Sequence, residues 1–339
     1  MSLDKKILAI ETSCDETAAS VVKNGREVLS NEIYSQIDIH AEYGGVVPEI
    51  ASRNHTHKLP FIVNKALEKS GYKIEEIDAV AVTYGPGLVG ALLTGVSFAK
   101  AYAYANKKPL IPVNHIEGHI CSNFISNLDL KPPFICLIVS GGHTHIVNVA
   151  EQNAYTLLGQ TRDDAAGEAF DKVARVLGLK YPGGPNLEKL AVEGDGEKYI
   201  FPKGFKGEKH LDFTFSGLKT SVINKLHMMD QKYEEYNVAD IAASFQKTVV
   251  DVLTKNTFEA IKREGAKKVC LAGGVSANGA LRESFKNKAK EQGIELYLPK
   301  KEYCTDNAAM IASAAYFRMN NKGIELSLNA NPSLKLEFK

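Results

Sequence analysis

Two histidines four residues apart give the strongest chemical signal in the chain. The run Pro112-Val113-Asn114-His115-Ile116-Glu117-Gly118-His119 puts a proline near a helix start and then imidazoles at i and i+4, on one helix face. That spacing suits a single divalent metal ion. Taken alone, the pair could equally be two solvated or core histidines. A zincin-type peptidase needs glutamate directly after the first histidine, and Ile116 stands there. Glu117 is two positions on, about 200° around the helix, and cannot be that base. Cys121, two positions after His119, points away for the same reason. A third ligand must come from elsewhere, and Asp306 in Tyr303-Cys304-Thr305-Asp306-Asn307-Ala308-Ala309-Met310 is the best candidate. A helix of small residues follows it, so a plain N-cap is the competing role. Two histidines and a carboxylate would leave an open metal site with room for substrate oxygens.

A second set of residues suits an anion. In Ile138-Val139-Ser140-Gly141-Gly142-His143, glycines between two strand-like runs let backbone N–H groups approach a phosphate, and the serine can add a hydroxyl. An ordinary hairpin turn uses the same residues. The turn Gly273-Gly274-Val275-Ser276-Ala277-Asn278 is similar, with Asn278 a ready N-cap. Together the two turns suggest one nucleotide, its phosphates on the first and its base near the second. Asp171, on an amphipathic helix with Phe170, Val173, Ala174 and Leu177 on its apolar face, could accept from ribose hydroxyls or merely pair with Arg175. Tyr181-Pro182-Gly183-Gly184-Pro185 reads as a loop. Lys203, Lys206, Lys209 and Lys219, interleaved with Phe205, Phe213 and Phe215, could contact RNA or form a solvated face.

The elements that position these residues recur. Lys6–Ile10, a polar loop and Ala18–Val22 make strand, loop, strand, and so do Phe134–Val139, Ser140–His143 and Thr144–Val149. Asp78–Thr83, Gly85-Pro86-Gly87 and a helix over Leu88–Ala105 match Lys268–Ala272, Gly273-Gly274 and a helix from near Asn278. The pattern predicts a duplicated α/β architecture. We expect one lobe over 1–128 with an insertion near 31–65, and a second over 129–339 with a mainly helical insertion near 185–240, the last helix packing back on the first lobe.

Composition narrows the classes. With 339 residues, 44% hydrophobic and 24% charged, the chain is an ordinary globular one of about two domains. Lys and Arg number 41 against 40 acidic residues, so no global basic field announces a nucleic-acid coat protein. RNA binding would need local patches or helper subunits. No apolar run approaches the roughly 18 residues of a membrane span, and the strand-like run beginning at Lys6 leaves no signal-peptide core. Five scattered cysteines without a Cys-x-x-Cys pair argue against a disulfide framework or zinc ribbon. The expected compartment is the cytoplasm.

Eight motifs then occur in order: ETSCDET (11–17), GPGL (85–88), NHIEGH (114–119), VSGGHTH (139–145), GEAFDKVAR (167–175), FTFSGLKT (213–220), GGVSAN (273–278) and CTDNAAM (304–310). In these the chain resembles the bacterial tRNA threonylcarbamoyladenosine transferases, the TsaD family, formerly labelled O-sialoglycoprotein endopeptidases. The resemblance spans nearly the whole chain. It implies a two-lobed actin-like, sugar-kinase-like fold of the ribonuclease H-like class. It implies transfer of threonylcarbamoyl from threonylcarbamoyl-AMP to N6 of adenosine 37 in tRNAs reading codons that begin with adenine, with release of AMP. It carries metal ligation onto His115, His119 and Asp306, with Fe2+ expected and Zn2+ as the alternative. Adenylate contacts fall on Ile138, Val139, Ser140, Gly141, Gly142, Asp171, Gly184 and Asn278, and the site would also take ATP, ADP or AMP. A further contact falls at Glu188, where the family usually has Asp; the charge is kept and a methylene added. The resemblance also implies a catalytically silent partner of the same fold, a small P-loop ATPase, and no membrane. Asp15 or Glu16, at the mouth of the first hairpin, could relay the amine proton or orient the threonine. A metallopeptidase and an actin-like ATP-driven chaperone or scaffold are the competing readings.

Overall fold

A computed structural model describes residues 4–205, 210–319 and 326–336. It divides into two compact units. The first is Met1–Lys131 with Gln152–Ala154 and Pro299–Lys339; the second is Pro132–Glu151 with Tyr155–Leu298.

Each unit is built on a five-stranded mixed sheet. In the first, the apolar run of β1 (Lys6–Glu11) lies centrally, antiparallel to β2 (Glu16–Lys23) and parallel to β4 (Ala79–Gly85). Strand β3 (Glu27–Ser35) closes one edge and β5 (Leu110–Asn114) the other, in the order β3-β2-β1-β4-β5. Pro112, which cannot donate to a ladder, is tolerated because β5 is an edge. In the second unit, β6 (Phe134–Val139) is central, antiparallel to β7 (Thr144–Glu151) and parallel to β9 (Lys268–Ala272), with β8 (Ala154–Gln160) and the three-residue β10 (Glu295–Tyr297) at the edges. Its order, β10-β9-β6-β7-β8, repeats the first sheet strand for strand.

The outer strands carry little sequence signal for a physical reason. Edge strands bury one side at most, and β3 (EVLSNEIYS) mixes polar and apolar residues. It runs to Ser35, inside the insertion expected near 31–65. The central strands β1, β4, β6 and β9 are almost wholly buried and read as apolar runs.

Helices α1 (Ile37–Ala41), α2 (Pro48–Ser70), α3 (Val89–Ala105) and α4 (His115–Ser126) belong to the first unit. Helices α5 (Ala166–Val176), α6 (Gly183–Ala191), α7 (Ser216–Gln231), α8 (Val238–Glu264) and α9 (Gly279–Gln292) belong to the second. Helix α10 (Ala308–Arg318) returns to the first unit and packs on α4 and β1. Gly183-Gly184-Pro185, read as loop, opens α6. A proline there is harmless, because the first-turn N–H groups have no intrahelical acceptor.

In the second unit α8 packs on β6, and Ile135 and Leu137 of β6 share one core with Phe170 of α5, Val222 of α7 and Phe245 of α8. Phe213 and Phe215, read as RNA-facing aromatics, are fully buried in this core. The start of α7 is capped from a distance. Asp163 accepts from the Ser216 hydroxyl at 2.6 Å, the Phe215 N–H at 2.8 Å and the Thr214 hydroxyl. Burial would raise its carboxyl, but these donors win and hold it below the usual value.

A depressed carboxylate stabilises the fold above its unfolded pKa, and that contribution is lost as pH falls through the folded value. Asp163→Ala should therefore cost about 1 kcal/mol at pH 7, a drop of about 2–4 °C in the calorimetric midpoint of this unit. The deficit should shrink as the wild-type carboxyl protonates below about pH 4. A deficit independent of pH would show that the carboxylate charge is not what caps α7.

Candidate active site

The first unit gathers its polar residues at the carboxyl end of β1, β4 and β5. The side-chain oxygen of Asn114 accepts from the Ile116 N–H at 2.8 Å and so starts α4 directly at His115. His119 follows one turn later, and the two rings meet edge-on with centroids 4.7 Å apart. Both are buried, which removes the reading of a solvated pair.

Asp306 reaches them because α10 can approach α4 closely. A Cβ at Gly118 would sit 2.6 Å from Ile311 Cδ1, so a larger residue would require the Ile311 side chain to shift. The N-cap of α10 is Asn307, which accepts from the Met310 N–H at 3.0 Å. The cap role considered for Asp306 thus falls to its neighbour. Asp306 Oδ1 instead lies 3.4 Å from His115 Nε2 and 3.3 Å from His119 Nε2.

Those distances are longer than a good N–H···O bond. Both ring nitrogens of His119 are buried without a hydrogen-bond partner, which is unusual for buried polar atoms. Donors bound at about 2.0–2.2 Å around a tetrahedral ion lie about 3.4 Å from each other. One donor atom from each of His115, His119 and Asp306 lies within 4.8 Å of the others. The three side chains therefore fit a shared divalent cation.

Further carboxylates surround the group. The fully buried Glu11, last residue of β1, has Oε2 3.1 Å from His115 Nδ1. Burial would raise the Glu11 carboxyl, but the His115 charge holds it low. Burial would lower His115, yet Asp306 and Glu11 push it well above the usual imidazole value. His119 is held below that value, chiefly by burial. Asp306 is held far below the carboxylate range by His115, against its burial. Burial, then the charges of Asp15 and Asp306, push the Glu16 carboxyl well above its ordinary range. Glu16 is half-buried, and it accepts from the Ser35 hydroxyl at 3.2 Å. Asp15 is buried in the same loop.

The second unit holds the glycine loop. Ser140 N–H donates to the His143 carbonyl at 2.8 Å, and the Ser140 hydroxyl accepts from the His143 N–H at 3.1 Å, closing a tight turn. A Cβ at Gly141 or Gly142 would meet nothing within 4 Å, so both backbones face open space. Glycines wall the loop in behind: a Cβ at Gly167 would lie 2.5 Å from the Ser140 carbonyl oxygen, and one at Gly273 2.4 Å from that of Val139. The side chains of Ile138 and Val139 are wholly buried, so they can touch a ligand only through their main chain.

The remaining predicted contacts are each hydrogen-bonded within this unit. Asp171 Oδ1 accepts from the Gly184 N–H at 3.0 Å, and Glu188 Oε1 from the Gly279 N–H at 2.7 Å. Asn278 caps α9 by accepting from the Leu281 N–H at 2.9 Å, and its amide donates to Gln246 Oε1 at 2.8 Å. Of the basic set, Lys203 is paired with Asp251 at 2.8 Å. Lys206 and Lys209 lie outside the described residues. Glu11, Gly118, Gly167 and Gln246 received no role from the sequence. A carboxylate ending an otherwise apolar strand was the visible signal for Glu11.

Comparison with known proteins agrees with these features. The profile of the family described as "TsaD: tRNA N6-adenosine threonylcarbamoyltransferase" matches residues 27–313. The tRNA N6-adenosine threonylcarbamoyltransferase of Clostridium novyi is 58% identical over 338 residues, covering 99% of each chain. That of Clostridium perfringens is 57% identical over 336 residues, covering 98% of this chain and 99% of the relative. Component A of (R)-2-hydroxyglutaryl-CoA dehydratase from Acidaminococcus fermentans superposes with a TM-score of 0.55 at 15% identity, over 94% of this chain and 99% of that one, a likeness of fold alone. The duplicated sheets are those of the actin-like, sugar-kinase-like fold. With a matching profile over most of its length and near-full-length relatives at 57–58% identity, the chain belongs to the tRNA N6-adenosine threonylcarbamoyltransferase family.

Proposed function

We propose that this chain transfers a threonylcarbamoyl group from threonylcarbamoyl-AMP to N6 of adenosine 37 in tRNA and releases AMP. The observation that carries the reading is the convergence of His115, His119 and Asp306 in a chain of this family. Glu117, the one glutamate between the two histidines, is buried and ion-paired with Arg318, so it is not available as a peptidase base.

His115, His119 and Asp306 would hold one divalent ion, Fe2+ or Zn2+ by the chemistry of their donors. Bound there, such an ion supplies Lewis-acid polarisation of a carbonyl or carbamate oxygen. The Ser140–Gly142 amides would hold the adenylate phosphate, and that anion leaves as AMP when the N6 nitrogen has formed its bond to the carbamoyl carbon. Asp171, Gly184, Glu188 and Asn278 would line the nucleoside side. An exocyclic amine must lose a proton during the transfer, and Asp15 or Glu16 would take it or orient the threonine. Burial and the charges of Asp15 and Asp306 raise the Glu16 carboxyl, which supports it as the proton carrier of the pair.

No helix among the described residues is long and apolar enough to cross a membrane. A tRNA substrate supports a cytoplasmic reaction. A net charge of +1 supports assistance from a same-fold silent partner and a small P-loop ATPase in holding the RNA.

Three outcomes test this. Nucleoside mass spectrometry of tRNA incubated with the chain, its partners, ATP and threonylcarbamoyl-AMP should show threonylcarbamoyladenosine; its absence from a reaction with all components active would sink the assignment. Elemental analysis should find about one divalent ion per chain, lost in His115→Ala/His119→Ala. Equal metal content in both would remove the metal centre. Gly141→Val adds a side chain where the protein has open space, so the fold should survive while AMP affinity falls at least about tenfold, or about 1.4 kcal/mol. Unchanged calorimetric affinity would place the phosphate elsewhere.

A further inference from the structure

The two imidazoles of the metal centre are held by different means. His119 makes no hydrogen bond through either ring nitrogen, and burial and the edge-on contact with His115 fix its ring. His115 Nδ1, by contrast, lies 3.1 Å from Glu11 Oε2 and 3.1 Å from Ser13 Oγ. Glu11 is wholly buried at the end of an apolar strand, where an unpaired carboxylate would be costly. Its other partners are donors: the Ser13 N–H reaches Oε1 at 2.5 Å, and the Thr83 hydroxyl reaches Oε2 at 2.6 Å. A carboxylate placed this way keeps a proton on Nδ1. That leaves the Nε2 lone pair of His115 as the ligand atom, on the side facing Asp306.

We propose that Glu11 is a positioning residue of the metal centre: it accepts the Nδ1–H bond of His115, fixes the ring's orientation, and so presents Nε2 to the cation. The inference rests on the metal reading above. Thr83 and Ser13 hold the carboxylate in turn, so β1, the loop after it and β4 all bear on one imidazole.

Glu11→Gln makes a sharp test. The Ser13 N–H cannot rotate, so the amide oxygen of the glutamine must turn toward it. The NH2 group then meets His115 Nδ1, which favours the opposite tautomer, with the proton on Nε2 where the metal should bind. Zinc affinity, measured by chelator competition, should fall about 10–100-fold in Glu11→Gln. In a His115→Ala background the same change should cost nothing more, because Glu11 acts through that ring. Nitrogen-15 NMR of the zinc-loaded wild type should show a protonated Nδ1 on His115, assigned by its loss in His115→Ala.

A Glu11→Gln variant with wild-type zinc affinity would overturn the proposal, and so would an equal further loss in the His115→Ala background. An unprotonated His115 Nδ1 in the zinc-loaded wild type would overturn it with no Glu11 variant needed, even if Glu11→Gln fails to fold. A wild type that binds no zinc or iron at all would instead remove the metal reading on which the inference stands.

Discussion

A buried and a half-buried carboxylate face opposite nitrogens of one imidazole, and much of the first unit is arranged to make that possible. Glu11 lies against His115 Nδ1 and Asp306 against Nε2. Moving an isolated carboxylate out of water costs several kcal/mol even after relaxation, so each must find donors or opposite charge where it lies. Glu11 finds them in a backbone N–H, a threonine hydroxyl and the ring. Asp306 has only the two rings within ion-pair distance among the described residues. The end of β1, the start of α4 and the turn before α10 are therefore tied to one another through the same few atoms. Helix α10 crosses α4 at Gly118, where a Cβ would lie 2.6 Å from Ile311 Cδ1.

The second unit solves a different problem with different material. Its loop after β6 carries no buried charge, and its chemistry is that of backbone amides. What it needs is close backbone approach, and glycines supply it at Gly167 and Gly273. Gly273 has φ +84°, a conformation that side-chain-bearing residues rarely adopt, and it also abuts the Val139 carbonyl. Two separate constraints thus select glycine at one position. Two side chains predicted to touch the adenylate are held by backbone amides, Asp171 by the Gly184 N–H and Glu188 by the Gly279 N–H. The longer Glu188 side chain finds the first amide of α9, where a carboxylate is favoured by the orphan N–H groups of a helix start.

Legibility in the sequence followed how local each determinant was. The shared face of His115 and His119 needs only the helical period, and the central strands need only an apolar run. Asp306 could be proposed but not separated from a cap, because Asp306 and Asn307 are both good caps and only the backbone shows that Asn307 takes the role. Glu11 shows in the sequence only as a carboxylate ending an apolar strand; its partners depend on β1 lying beside β4, which brings Thr83, and on α4 starting at the neighbouring strand end. Phe213 and Phe215 misled because aromatics between lysines suggest RNA stacking, whereas the segment pairs with the end of β8 and turns both rings into the core. Edge strands β3 and β8 were missed because an edge does not demand an apolar face on both sides.

The duplication explains why chemistry sits where it does in both units. In each, a central strand ends in a tight loop, and the glycine turn after the adjacent parallel strand packs against that loop. A Cβ at Gly87 would lie 2.6 Å from the Ser13 carbonyl oxygen, just as one at Gly273 would lie 2.4 Å from that of Val139. The carboxyl ends of parallel strands are where such folds present ligand groups, because loops there can vary without disturbing the sheet. From this common frame the two units diverged in what the loop carries. In the first, β1 ends in a carboxylate and the loop holds Ser13, Asp15 and Glu16, so side chains do the work. In the second, β6 ends in Val139 and the loop is Ser140-Gly141-Gly142, so the backbone does. The two copies of one topology thus differ at the same position in their sheets: the first offers side chains there, the second backbone amides.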